Sequence, residues 1–161
     1  LPTTTSDPAP LYHAFDYGPV HVVVLDSELY ERNDRGGIDA QREWLTADLR
    51  ANTLPWTVVV LHRPLYSSTS GAASDTIATD LQPIFEANGV DLVLSGHVRN
   101  YDRFQPGDGI PGAGLQSLGS DRTSVAAASV HHFLSIEATP DHLSARVIDD
   151  HGAVIDTFTL P

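Results

Sequence analysis

At 161 residues the chain suits one domain, long enough to bury roughly 70% of its unfolded surface, and its size calls for no second one. Its nine basic residues are all arginines set against 21 acidic ones, and a formal charge of -12 argues against nucleic acid or an anionic membrane as partner. There is no run of about 18 apolar residues to span a bilayer, and without cysteine there is neither a disulfide framework nor a thiolate metal site.

The first ten residues, LPTTTSDPAP, are too polar for the apolar core of a leader peptide and read as a linker or cut end, leaving residues 11–161 as the folded unit. Methionine is absent throughout, so Leu1 reads as a processed end. Strands are expected over residues 12–17 and 20–25, joined at the turn pair Gly18-Pro19. The second is a continuous apolar run, as when both faces of a strand are covered. A helix follows from an Asp39 cap to about Asn52, with Trp44, Leu45 and Leu49 on one face. Residues 56–61 form the next buried strand. A Ser/Gly/Ala-rich loop spans residues 67–74, and a second helix runs over residues 75–88 before Gly89. A third strand covers residues 90–95. Beyond a glycine- and proline-rich loop at 107–114, short strands are expected at 115–120, 133–138, 143–149 and 154–160, with hairpin turns at Thr139-Pro140-Asp141 and Asp150-His151-Gly152. A parallel βαβαβ unit therefore passes into an antiparallel meander.

Three of these strands end in polar residues: Leu25 runs into Asp26, Leu61 into His62, and Ser95 into Gly96-His97. Parallel strands deliver their carboxyl ends to one edge of a sheet. His62 and His97 lie 35 positions apart, so no local helix or turn pairs them; only the sheet brings them together. Neutral imidazoles are ready ligands for a divalent ion. The other histidines, at 13, 21, 131, 132, 142 and 151, have no motif company and read as structural. His131 and His132, being adjacent, point to opposite faces of a regular strand and cannot chelate one ion.

Four strings carry a resemblance to a known family. They are Tyr12-His13-Ala14-Phe15-Asp16-Tyr17-Gly18 leading to Val24-Leu25-Asp26-Ser27-Glu28, then Gln41-Arg42-Glu43-Trp44-Leu45, then Leu61-His62-Arg63-Pro64-Leu65-Tyr66, and last Ser95-Gly96-His97-Val98-Arg99-Asn100-Tyr101. In this order and spacing the chain resembles the C-terminal half of purple acid phosphatase-like enzymes of the calcineurin-like metallophosphoesterase superfamily. The resemblance implies an α/β fold, the C-terminal half of an αββα metallophosphoesterase sandwich. It implies a phosphoric ester hydrolase of a secreted or extracellular type, working with a pair of transition metals drawn from iron, zinc or manganese. By position, His62 and His97 correspond to ligands of one ion. Asp26 and Glu28, as carboxylates at the same edge, are expected to hydrogen-bond loops or to orient those ligands, and Arg63 and Tyr101 either to support the site or to pack at the surface.

Two departures stand out. Arg99 falls where the resemblance calls for a further histidine, and a guanidinium cannot donate electrons to a metal. Arg99 is a candidate phosphate contact, or a cation standing in for a lost ion. The loop after Ser68 offers no histidine to protonate a leaving group, and Asp75 is a poor substitute. The remaining ligand strings of such enzymes are absent from this chain. Two imidazoles hold an ion weakly, so the isolated chain is expected to be a poor catalyst that needs a missing N-terminal half of the same protein as well as a phosphate ester substrate. The alternative is a degenerate, noncatalytic phosphoesterase-like module for binding or structure. A homodimer through an open sheet edge is a third expectation.

Overall fold

The computed structural model describes residues 11–67, 74–98, 100–104 and 124–160. Residues 1–10, most of the serine-rich loop, Arg99 and the strand expected at 115–120 lie outside the described residues.

Strands β1 (His13–Tyr17) and β2 (Val20–Leu25) pair as an antiparallel hairpin. Tyr17 faces Val20, so Gly18 and Pro19 make a two-residue loop, and Gly18 adopts φ +57°, which its missing Cβ permits. β2, β3 (Trp56–Leu61) and β4 (Leu92–Ser95) then run parallel, giving a sheet in the order β1-β2-β3-β4. The two crossovers carry helices α2 (Arg35–Ala51) and α3 (Asp75–Ala87), and a one-turn helix α1 (Glu28–Glu31) precedes α2.

The start of α2 differs from expectation. Asp34, not Asp39, is the cap, its Oδ1 accepting from Gly37 N at 3.0 Å. Gly36-Gly37 has the look of a helix breaker, yet Gly37 is needed inside the first turn: a Cβ there would lie 2.7 Å from both Leu29 Cδ2 and Asp34 Oδ2. α3 starts where expected, at a Ser74 cap.

Side-chain parity divides the sheet between two layers. Val23, Leu25, Val59 and Leu61 face one way and pack with Leu45 and Leu49 of α2 and Ile77, Leu81 and Phe85 of α3. Val20, Val22, Trp56, Val58, Val60, Leu92 and Leu94 face the other way. They meet Ile136, Ala138, Leu143, Phe158 and Leu160 of a second, antiparallel sheet made of β7 (His132–Thr139), β8 (His142–Asp149) and β9 (Val154–Leu160). Trp56 Nε1 donates to Thr139 O at 2.6 Å across that junction. A further pair, β5 (Tyr101–Phe104) and β6 (Ser124–Ala128), was not expected from the sequence. Its polar Asp102-Arg103 centre and alanine-rich partner strand carry little strand propensity. β1 and β4 are the two edges of the main sheet. Among the described residues no helix is long and apolar enough to cross a membrane.

Candidate metal centre

Register fixes what meets at the tips of the parallel strands. Leu25 faces Leu61 and Leu61 faces Ser95, so the next residues along, Asp26, His62 and Gly96, form the following row. Gly96 N donates to His62 O at 3.0 Å, carrying the pairing one step past the strands. The chain then reverses at His97, which takes φ +64°, and Val98 N donates back to Gly96 O at 2.7 Å. A left-handed histidine is uncommon backbone, held at a cost of about 1–3 kcal/mol.

That turn brings His97 Nδ1 to 3.1 Å from His62 Nε2, with the rings at 86° and their centroids 5.0 Å apart. Both rings are exposed. Nitrogens about 2.1 Å from one ion, in tetrahedral or octahedral geometry, stand about 3.0–3.4 Å apart. The pair therefore has the spacing of adjacent ligands, bridged by a proton when no ion is shared. Among the described residues no third ligand completes a cluster around it.

The carboxylate of Asp26 is engaged elsewhere. Its Oδ1 accepts from Glu28 N at 2.9 Å and its Oδ2 from Arg32 Nη2 at 3.0 Å, while its backbone N donates to the Oε1 of buried Gln41 at 2.8 Å. Arg63, directly after His62, reaches Glu28 Oε1 at 2.9 Å and Glu31 Oε2 at 3.1 Å, and its backbone N donates to Ser27 Oγ at 2.9 Å. The Arg63 hydrogen bond holds the Glu28 carboxyl below the usual carboxylate range. These bonds tie the tips of β2 and β3 together beneath His62.

Tyr101 turns its hydroxyl away, donating to Asp156 Oδ2 at 2.7 Å. Arg103 Nε meets the same oxygen at 2.6 Å, and its guanidinium lies 5.3 Å over the Phe158 ring. Burial would raise the Asp156 carboxyl, but the hydrogen bonds from Arg103 and Tyr101 outweigh it and hold the group low. Burial and donation to Asp156 both raise the Tyr101 phenol. Tyr101 thus anchors the strand that follows His97 and makes no described contact with either metal-candidate ring. Arg99 lies outside the described residues.

Asp156 and Glu31 are the site's partners that sequence reasoning missed. Each left a faint signal: Asp156 shares the inward parity of Phe158 and Leu160, and Glu31 stands one helical turn from Glu28. Asp149, Asp150 and His151 also bring ligand atoms within 4.8 Å of one another in the β8–β9 turn. There the Asp149 carboxylate accepts from His151 N and Ala153 N, and His151 pairs with Asp150 at 2.8 Å, which accounts for the cluster as turn chemistry.

The calcineurin-like phosphoesterase family model matches residues 9–101. Purple acid phosphatase 21 of Arabidopsis thaliana is 37% identical over 102 residues, covering 60% of this chain and 22% of that protein. Acid phosphatase A of Cryphonectria parasitica is 34% identical over 116 residues, covering 60% of this chain and 23% of that protein. The chain thus spans less than a quarter of the length of these curated relatives. The solved purple acid phosphatase PPD1 from yellow lupin seeds has the same fold, with a TM-score of 0.73 at 21% identity over 98% of this chain and 34% of that one.

Proposed function

The chain belongs to the calcineurin-like phosphoesterase family, and on that premise we propose that it forms part of a metal-dependent phosphoric ester hydrolase of the acid phosphatase type. His62 and His97 are assigned as ligands of one ion of a metal pair, drawn from iron, zinc or manganese. The 3.1 Å separation of His62 Nε2 and His97 Nδ1 at the tips of adjacent parallel strands carries this reading.

A bound ion at this place supplies Lewis acidity and a water of lowered pKa for attack on phosphorus. The chain's own residues do the rest. His62 Nε2 and His97 Nδ1 present lone pairs and must be unprotonated at those atoms. Ser27, Glu28 and Arg63 hold the strand tips so that the His62 ring need not reorganise. The Arg63 charge is spent on Glu28 and Glu31, which makes it a brace and not a substrate clamp. Asp26 serves the same loop.

Two imidazoles leave most coordination positions open, so the remaining ligands are assigned to an N-terminal half of the same protein. A phosphate ester is the substrate and an extracellular setting belongs to the same reading. The isolated chain is accordingly a weak metal binder and a poor catalyst. Arg99 at the place of an expected histidine favours a second reading, a noncatalytic phosphoesterase-like module.

The test joins the chain to its upstream segment and measures metal content together with hydrolysis of an aryl phosphate. Stoichiometric metal and turnover are expected. A longer protein that holds no metal and hydrolyses nothing leaves only the noncatalytic module.

A further inference from the structure

The two faces of the main sheet are unequally covered. On the helix side Val23, Leu25, Val59 and Leu61 are all buried. On the other side the three-stranded second sheet buries Val20, Trp56, Val58 and Leu92, yet among the described residues no side chain of β1 joins the core of that layer. β1 turns His13, Phe15 and Tyr17 to that side, since they are registered against Val24, Val22 and Val20. All three are exposed, Phe15 by 50% and Tyr17 by 78%, on a strand that forms the edge of its sheet. Aromatic side chains each offer about 150–250 Å2 for burial. Two of them on one bare face mark a surface built to be covered.

The bare surface does not stop at β1. The last full row before Leu25, Leu61 and Ser95 is His13, Val24, Val60 and Leu94, of which His13 is exposed and the other three are only half-buried. His62 follows Val60 by two positions and stays in the pairing through the bond from Gly96 N, so its ring leaves the sheet on the same bare side. The uncovered apolar surface and the candidate metal centre are thus one continuous area, and among the described residues no third ligand completes that centre. A body that covers the first must abut the second. This chain matches 34% of the lupin structure, so a protein of that fold has length to spare for such a body.

We propose that this face, from Phe15 and Tyr17 to Val60 and Leu94, is the docking surface for the N-terminal half of the same protein, which lays apolar side chains over β1 and in doing so brings its metal ligands to His62 and His97. The inference rests on the phosphoesterase reading for the missing ligands and adds the surface that delivers them. Covering the face and completing the centre are then one event.

Hydroxyl-radical footprinting of the chain alone and of the longer protein reads the surface directly. Phe15 and Tyr17 should be oxidised readily in the chain alone and about tenfold more slowly in the longer protein. Equal oxidation in the two overturns the docking surface and leaves the phosphoesterase reading standing. Slow oxidation in the chain alone overturns it as well: a second copy covers the face if dilution restores the rate, and the chain's own remaining residues cover it if dilution does not. Protection in a longer protein that holds no metal and hydrolyses nothing keeps the docking surface and defeats the phosphoesterase reading. Phe15→Thr combined with Tyr17→Thr gives an independent check, because threonine keeps strand propensity and both positions are exposed in the chain alone. The double variant should lower the thermal midpoint of the longer protein by about 5–10 °C and leave that of the chain alone within about 2 °C of its original value. Equal shifts in both overturn the proposal.

Discussion

His21 and the His62–His97 pair are the same side chain in opposite circumstances. His21 is buried in β2 with both nitrogens taken, Nδ1 by Asp16 at 2.7 Å and Nε2 by Asp48 of α2 at 2.8 Å. Burial lowers its pKa, but the hydrogen bonds to Asp16 and Asp48 outweigh that and raise it overall. With both nitrogens facing carboxylates, neither has a lone pair free for a metal. His62 and His97 are exposed, have no carboxylate in described contact, and turn one nitrogen each toward the other. A histidine clamps a fold when its nitrogens are saturated by acids. It is available to an ion when its nitrogens face only each other.

That contrast can be broken most severely at the exposed pair. His62→Ala or His97→Ala in the metal-loaded longer protein should cut phosphate ester turnover by about a thousandfold or more, with metal content falling in parallel and thermal stability nearly unchanged. Retained metal in both variants would contradict the ligand assignment. Asp156→Ala should have its large effect on folding instead. It strands Arg103 and Tyr101, whose pairing spans β5 and β9, and should lower unfolding free energy by about 3 kcal/mol in a denaturant titration.

The His21 clamp makes a pH prediction with a definite sign. Its folded pKa stands above the ordinary histidine value of 6.5, so its stabilisation is fully present below pH 6.5 and fades as pH rises through the folded pKa. Asp48→Asn should therefore cost about 1–2 kcal/mol near pH 5.5 and much less near pH 9, read from unfolding curves at both values. An equal cost at both pH values would mean that His21 is neutral in the fold. The smallest effect is expected at the strained turn: His97→Gly should relieve the φ +64° backbone and raise stability by about 0.5–1 kcal/mol while removing a ligand. A loss of stability there would show that the ring packs, and does not merely reach for an ion.

The parallel core was legible because its signals are local. Val20–Leu25 and Trp56–Leu61 are unbroken apolar runs bounded by turn residues, and both strands occupy the expected positions. The strand-tip argument needed only parallel order to bring His62 and His97 together, which the register does. The start of α2 was missed because Gly36-Gly37 reads as a breaker until Leu29 is known to press on Gly37. β5 and β6 were missed because their pairing partners are distant in sequence and their composition is not strand-like. Asp156 was invisible as a partner for the same reason: the bond from Tyr101 spans 55 positions and belongs to no motif.

Crystals of the chain soaked in millimolar zinc and measured at the zinc absorption edge test the central claim most directly. One anomalous peak should lie within about 2.1 Å of both His62 Nε2 and His97 Nδ1. Zinc found only at the Asp149–His151 turn, or bound to the two rings as separate ions, would contradict it.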